Sequence, residues 1–599
     1  MKRFVLSLIV SFCLGWLCFC SAVCAATFFQ GIWIDVRSIP LTEDGIRDMV
    51  RRVHSANFNA ILVESFYLGE TIYPSPFLSS QGLPSQMSTF EEAGIDPLKI
   101  IVEEAHRLSL QVHVWFDMFY VGLNEPGALL SRYPQWSAIN RDGSTGYQQG
   151  NNHFFWICPE HPEVKEFYSQ LFQEVGKNYP IDGIHLDYLR FPDPTLADAC
   201  YAPEHCQKFE EEYGVDPREI SPLNQPAFYR EWNKTRAQFL TDFVTYISEE
   251  LRHSLPHLIF SCAVKPQGFP EELNPRSLQD WPRWAELGLF DVFIPMTYSS
   301  RPPEFKGLLL WINTFLSSSA PFYSGIWGVN LSDHSIAQEI TIAREAKSQG
   351  VSIFAYPYLT DQTLSFLAAG PFHEKPSPPT IEELSVPREL PPEVKPVSYY
   401  QENARRVTAL YTGTPVVPDG VLEEIWESAH WQADFTLITG EGEASQDTRV
   451  ALLYDSQNLY VAFFFEKNPD EVVFSVTQRD GPAFYDDSVE IFLDPGKSKS
   501  FYYQLVTNLV GAQYDGSSLQ GAAWNGNWKA GVMEENHLYS LEVAIPFSEI
   551  TKEPPSGGEE WGINFYRNNL KQEEFSAWSP TPGVYAVPSL FGTVEFSVP

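Results

Sequence analysis

The stretch Tyr179-Pro180-Ile181-Asp182-Gly183-Ile184-His185-Leu186-Asp187-Tyr188-Leu189-Arg190-Phe191-Pro192 decides how the chain folds. Ile184, Leu186 and Tyr188 alternate with His185, Asp187 and Leu189, which predicts a buried strand with one polar-lined face. An amphipathic helical pattern precedes it from Glu163 to Lys177, with Val164, Phe167, Leu171 and Val175 on one side. A carboxylate at the exit of a buried strand needs a partner, hydrogen bonds or the water of a cleft. The C-terminal ends of parallel barrel strands are where such groups usually do chemistry. By itself the strand leaves Asp187 open between a structural carboxylate bonded to a loop and a catalytic one.

Working outward, the same unit recurs. Strand patterns run over Gly31 to Ser38, Asn59 to Tyr67, Gln111 to Met118, Leu258 to Lys265, Asp291 to Tyr298, Phe322 to Val329 and Val351 to Tyr358. Helical patterns separate them, among them Thr42 to Ala56, Pro97 to Leu108, Tyr229 to His253 and His334 to Gln349. Strands that alternate with helices predict a parallel sheet, and eight of them within about 340 residues predict a (β/α)8 TIM-type barrel. A doubly wound open sheet is the alternative, but no Gly-rich phosphate loop follows any strand. The loop from Phe119 to Cys158 is long, aromatic and polar, which marks it as functional.

The flanks are of other kinds. Residues 1–26 place Lys2 and Arg3 before an apolar run from Phe4 to Cys20 and end in small residues, a secretory signal pattern with cleavage near Ala25 or Ala26. Left uncleaved, the segment would serve as an anchor. Val23 before Cys24 does not fit a lipoprotein signal, and no later stretch is long and apolar enough to span a membrane. The expected location is therefore secreted or periplasmic. Residues 27–370 form the expected barrel. Residues 371–396 are rich in Pro among charges and predict an extended, semi-rigid linker. From 397 to 599 short alternating strands with turn signals predict an antiparallel β-sandwich.

Composition excludes some partners. The net charge is −36, or −38 without Lys2 and Arg3, and no basic patch stands out, so nucleic acid and polyanionic substrates are disfavoured. Aromatic residues make up 15% of the chain, with 16 Trp, and any that line clefts would suit the apolar faces of sugar rings. Of the eight cysteines, Cys158, Cys200, Cys206 and Cys262 lie outside the signal segment, too few for a disulfide scaffold. Cys200 and Cys206 share one loop and could pair in an oxidising compartment. No zinc spacing is present, and no catalytic metal is expected.

Strand parity then gathers candidate site residues. Trp33, Asp35 and Arg37 share one side of the first strand; His113, Trp115 and Asp117 one side of the third; His185 and Asp187 one side of the fourth. Glu64 and Tyr298 end the second and sixth strands, Lys265 caps the fifth, and Arg190 follows the fourth. The opposite faces are apolar and suit a helix layer, so the polar faces are expected to converge in the barrel mouth. Carboxylates with His, Tyr, Arg and Trp fit glycoside hydrolysis, in which one carboxyl protonates the leaving oxygen and another acts as nucleophile or base. Asp187, Asp117 and Glu64 are the catalytic candidates. The others are candidates for substrate binding, although Asp35 with Arg37 also reads as a buried ion pair and the two histidines as core residues. Asp182 and Asp291 begin their strands and read as structural.

Gly31-Ile32-Trp33, Cys158-Pro159-Glu160-His161-Pro162-Glu163-Val164 and the Tyr179 to Pro192 stretch together resemble the glycosyl hydrolase-like family 10 domain. Lys165 stands where that pattern usually has Arg, Cys158 near its usual Asn or Asp, and Met296 where Gln is common. The resemblance covers Thr27 to Gly370 and implies a TIM-type barrel acting on bacterial glycans, with peptidoglycan strands as one substrate class. Asp419 to Trp426, Asn458 to Ala462, Arg479-Asp480, Asp486 to Pro495 and Phe591 to Val594 resemble a family 9 carbohydrate-binding module. Such modules hold sugars between two aromatic rings. Trp578 matches the second, and Phe484 or Tyr485 stands where the first is commonly Trp. Trp524 and Trp528 are further platform candidates. The resemblance also implies that Asp486, Asp487 and Asp494 could hold a structural calcium ion, against a reading as ordinary surface or turn acids.

The expected protein is thus an exported glycosidase with an appended binding module, its partner a polysaccharide or oligosaccharide. The alternative is a non-catalytic glycan-binding envelope protein with an inactive barrel. A carbohydrate esterase or lyase lacks a recognisable Ser or metal constellation.

Overall fold

The structure is a computed structural model that describes residues 27–193, 197–266, 277–316, 320–329, 331–392, 394–438 and 442–598. The expected signal segment, residues 1–26, lies outside the described residues.

Eight strands alternate with eight helices: β1 Phe29–Ile34, α1 Glu43–Ser55, β2 Ala60–Tyr67, α2 Pro97–Arg107, β3 Gln111–Asp117, α3 Pro162–Asn178, β4 Gly183–Asp187, α4 Pro226–Ser254, β5 Ile259–Val264, α5 Trp281–Glu286, β6 Val292–Pro295, α6 Pro302–Phe315, β7 Tyr323–Trp327, α7 Asp333–Glu345, β8 Gly350–Phe354 and α8 Asp361–Ala369. The strands are parallel in the order β6-β5-β4-β3-β2-β1-β8-β7. A parallel bridge between Phe293 and Phe322 joins β6 to β7, so the sheet closes on itself. The (β/α)8 expectation holds.

The period of two sorts each strand into two faces. Ile32, Ile34, Val63, Val112, Val114, Leu186 and Phe260 pack outward in one core with Val50 of α1, Ile101 of α2 and Val175 of α3. Phe29, Trp33, Leu62, Trp115, Ile259, Ile294 and Tyr323 fill the barrel interior. At the N-terminal face, Asp182 accepts the Val112 N–H at 2.7 Å and Asp291 accepts the Phe260 N–H at 2.7 Å. Each carboxylate ties the start of one strand to its neighbour, as a strand-start acid should.

Residues 371–396 differ from an extended spacer. Asn59 Nδ2 donates to the Pro376 carbonyl at 2.9 Å, and the Phe28 N–H donates to Ser377. A short helix, Ile381–Leu384, is fixed by a capping box between Thr380 and Glu383, and Leu384 plugs the interior core from below. Arg388 is buried and donates to Asn313 Oδ1 at 2.5 Å and to the Ala320 carbonyl at 3.1 Å. Leu384, with Ile381 packed beside it, and Arg388 pin the segment to the barrel floor, a signal hidden in the sequence by the surrounding prolines and acids.

The second domain comprises β9 Arg406–Tyr411, β10 Thr448–Tyr454, β11 Asn458–Glu466, β12 Ser488–Asp494, β13 Tyr503–Asn508, β14 Gln513–Ser517, β15 Lys529–Glu535, β16 Leu538–Pro546, β17 Glu560–Asn569, β18 Glu574–Ala577 and β19 Gly592–Phe596. β10, β11, β16 and β15 form one sheet; β19, β17, β12, β13 and β14 form the other. Val450, Val461 and Phe463 of the first sheet meet Ile491, Leu505 and Phe565 of the second in one core. Most pairs are antiparallel. β9 departs from that expectation: its first residues pair in parallel with β19 and its last two in parallel with β10, so one strand stitches the sheets together.

The domains touch. Trp311 of α6 packs with Tyr400, Val584, Val587 and Leu590. Gly307 and Gly583 meet backbone to backbone, and a Cβ built on Gly583 would lie 1.9 Å from the Gly307 carbonyl oxygen.

Candidate active site

Interior residues toward the C-terminal ends of β2 to β4 make one carboxyl cluster. Asp117 and Asp187 are register partners on the adjacent strands β3 and β4. One layer below, Glu64 pairs with Trp115, and Trp115 with His185. Glu64 Oε2 accepts the Val36 N–H at 2.7 Å. Burial, reinforced by the charges of Asp35 and Asp187, pushes the Glu64 carboxyl up to about 8. Asp117 is 1% exposed and its Oδ1 has no hydrogen-bond partner. Burial, then Glu64, then Asp187 push its carboxyl well above the usual carboxylate range. Glu64, below Asp187, and Asp117, beside it, are thus both shifted toward the protonated form.

That third group is built differently. Asp187 Oδ1 accepts the Tyr188 N–H at 2.6 Å and Arg190 Nη1 at 3.1 Å. Tyr188 makes this turn with φ of 50°, sparsely populated for a bulky residue and the kind of strain found at functional sites. Its ring lies under the Arg190 guanidinium at 4.2 Å. Asp187 thus has a cation and a backbone donor, whereas Asp117 has neither. The two carboxyls thus sit in different surroundings, Asp187 against Arg190 and Asp117 buried without a hydrogen-bonded counter-ion.

Aromatic rings wall the cluster. Tyr120 stacks obliquely on Tyr188 at 5.4 Å, and Trp156 stands 5.9 Å from each of them. Tyr120 and Trp156 belong to a three-stranded sheet, Tyr120–Leu123, Tyr147–Gln149 and Asn152–Trp156, folded from the long loop after β3. On the far side Phe354 contacts Trp33, Trp115, Tyr298 and Trp327 at 5.7–6.4 Å. Tyr298 is raised well above the usual phenol range by burial and by Asp187, which places it beside the cluster. A cleft of ≈ 500 Å³ is lined by Val36, Arg37, Tyr67, Glu70 and Phe90 among others; Val36 links it to Glu64, but none of the three carboxyls lines it.

The remaining predicted residues fall elsewhere. His185 is fully buried, and burial lowers its imidazole to about 3. It is neutral: Nε2 accepts from Trp33 Nε1 at 3.3 Å, so Nδ1 carries the proton and donates to Ser261 Oγ at 2.9 Å. It is a strut beneath the cluster. His113 lies four residues before Asp117, about 13 Å down the strand, packed edge-on to Phe29 with Nε2 on Gln111 Oε1. It does not reach the mouth, because parity fixes a face but not a height. Arg37 is 79% exposed at its side chain and 3.7 Å from Asp35, whose other contacts are the Arg37 N–H and Ser38 Oγ. Asp35 is therefore a turn cap rather than half of a buried pair. Lys265 follows β5, its backbone bound by Gln279 and Trp281.

The module's rings are largely internal. Trp578 is 0% exposed and packs on Phe565 at 5.4 Å, in space left by Gly592. Trp528 is buried with Nε1 on Asp515 at 2.9 Å. These two present no face to a sugar. Trp524 is half-buried on Tyr503, and Phe484 on Tyr514. Tyr485 is 50% exposed, though Arg301 of the barrel lies 5.2 Å from its ring. Asp486, Asp487 and Asp494 are buried and taken by the protein's own donors: the Ser475 and Val476 N–H groups and Asn508 Nδ2 on the first, the Val473 and Leu570 N–H groups and the Lys467 ammonium on the second, Ser498 and Lys499 on the third. A shell of donors does not fit a cation.

The sequence and fold have relatives. Residues 29–314 match the family model "Glycosyl hydrolase-like 10", and residues 417–597 match "Carbohydrate family 9 binding domain-like". Glycosyl hydrolase DigH of Escherichia coli K12 is 23% identical over 270 residues, 42% of this chain and 57% of that protein. Glycosyl hydrolase YngK of Bacillus subtilis is 24% identical over 271 residues, 41% of this chain and 47% of its own. The chain thus spans about half the length of these relatives. Among solved structures, the PgaB glycoside hydrolase domain of Bordetella bronchiseptica is 12% identical, with a TM-score of 0.43 over 58% of this chain and 99% of that domain. A family 9 module of Caldicellulosiruptor kristjanssonii in complex with cellotriose is 19% identical, with a TM-score of 0.25 over 33% of this chain and 95% of that one.

Proposed function

From a glycosyl hydrolase-like 10 domain followed by a family 9 carbohydrate-binding domain, we propose an exported glycoside hydrolase that cleaves O-glycosyl bonds in a polysaccharide of bacterial cell-wall type. The tandem supports action on glycans; the Lys2-Arg3 and apolar leader supports export. The observation that carries hydrolysis is the contrast within the carboxyl cluster. Asp187 has Arg190 as counter-ion, while Asp117 is raised by burial beside it. In this reading Asp117 protonates the leaving oxygen and Asp187 attacks the anomeric carbon. Water then releases the sugar, with Asp117 as base. Burial holds Asp117 in its protonated form, and Tyr120, Trp156 and Tyr188 supply ring faces for the sugar. The module concentrates the barrel on its substrate.

The test is incubation of the full chain with denuded peptidoglycan, chitosan, β-glucans and α-glucans, followed by product analysis. New reducing ends from one class, lost in Asp187→Asn, are expected. Retained glycan binding with no product from any class would leave a binding protein with an inactive barrel. Release of acetate without chain cleavage would make the barrel a deacetylase.

A further inference from the structure

A second cluster lies behind the aromatic wall. Cys158 follows the Asn152–Trp156 strand, Cys200 lies on the loop after β4, and His205 is in the helix Pro203–Tyr213. Their ligand atoms all lie within 4.8 Å of one another. Cys158 and Cys200 are buried, with sulfurs 2.9 Å apart. The His205 side chain is 12% exposed. Its Nε2 meets Glu160 Oε2, while Nδ1 is buried with no partner. The pairing expected from sequence, Cys200 with Cys206, does not occur: Cys206 packs apart with Tyr201, Phe209, Ile220 and Trp232.

We propose that Cys158, Cys200 and His205 bind one zinc-class divalent ion, with Glu160 orienting the imidazole from behind. Two sulfurs and one imidazole nitrogen are the donor set of such ions, and a carboxylate on the far ring nitrogen is their usual outer partner. A Cys158–Cys200 disulfide would use both sulfurs and still leave the buried Nδ1 unpaired. A metal satisfies all three groups at once. Each thiol releases one proton to buffer as the ion exchanges two of its waters for sulfur. With metal–sulfur bonds of about 2.3 Å, the sulfurs would spread to roughly 3.8 Å. The ion would clamp the loop that carries Trp156 to the loop that carries Tyr188 and Arg190, and so fix the wall of the carboxyl cluster. The site stands whether or not the barrel is a hydrolase.

The test is metal analysis of the full chain after gel filtration, with thiol titration in denaturant and chelator before and after reduction. About one zinc per chain is expected, lost in Cys158→Ser, Cys200→Ser and His205→Ala and kept in Cys206→Ser, with reduction adding no thiols. Where a variant fails to fold, the stripped wild-type chain is titrated with Co2+. Sulfur-to-cobalt charge-transfer bands should grow to one equivalent, and prior thiol alkylation should block them. No metal with two thiols appearing on reduction would mean a disulfide and overturn the proposal. No metal with all thiols free, or metal retained in both Cys158→Ser and His205→Ala, would overturn it too.

Discussion

Asp117 and Asp187 are register partners on neighbouring parallel strands, both facing the barrel interior. Adjacent strands lie about 4.8 Å apart. Side-by-side carboxyls then fall near the roughly 5 Å spacing of retaining glycosidases, short of the 6.5–9.5 Å that admits a water. The first product should keep the anomeric configuration of the substrate. An NMR time course that shows the inverted anomer first would transfer the second role from Asp117 to Glu64.

Asp187→Asn should lower turnover by at least about a thousandfold, since a nucleophile acts only in the chemical step. Asn keeps an oxygen for the Tyr188 N–H, so the melting temperature should stay within a few degrees. Turnover and thermal melts on the same preparation check this. Near-wild-type turnover, or an unfolded variant, would remove Asp187 from its role.

Glu64 offers a prediction in pH. Its folded carboxyl is raised to about 8, above its unfolded value. Between the two values the folded state holds a proton that the unfolded state has lost, so stability falls as pH rises through that window. Asp117 contributes in the same direction. Glu64→Gln removes one of these terms and should gain stability relative to wild type at pH 8 over pH 5, by on the order of a few kcal/mol. Denaturant melts at the two pH values measure it. An equal offset at both would mean that Glu64 ionises normally.

Trp578 separates core from ligand platform. It is fully buried on Phe565, so Trp578→Ala should destabilise the module by about 3–5 kcal/mol through the cavity left behind. Glycan binding should fall only in step with unfolding. A variant that melts normally yet no longer binds insoluble glycan would return Trp578 to the binding surface.

How much of this was legible follows from what each signal encodes. Alternation and helix spacing gave all eight barrel strands, because each is buried on both faces and its parity sorts side chains inward or outward. The same parity placed Asp117 and Asp187 together. It could not place His113, which shares their face but sits a layer too low, nor show that His185 is occupied by Trp33 and Ser261. Tyr120, Tyr188 and Trp156 escaped because the loop after β3 folds into a sheet held by long-range pairs, and the φ of Tyr188 leaves no mark in composition. Trp578 misled because a motif position carries identity but not exposure. The Cys158, Cys200 and His205 cluster joins three segments, so no local spacing announces it.

The final prediction concerns how the domains stay joined. Gly583 has φ of 80°, and its Cα faces the Gly307 backbone on α6 with no room for a Cβ. Gly583→Ala adds about 1–2 kcal/mol of backbone strain from the left-handed φ alone, and the new methyl must also displace the Gly307 carbonyl. The easiest relief is to lift the module away, which exposes Trp311, Val584 and Leu590. Calorimetry should then resolve separate barrel and module transitions in place of a coupled one, and fluorescence should report a more polar surrounding for Trp311. Turnover on a short soluble glycan should hold, because the three carboxyls lie on β2 to β4 while Gly583 meets only the Gly307 backbone within α6. An unchanged melting profile in Gly583→Ala would show that the two backbones touch without coupling the domains.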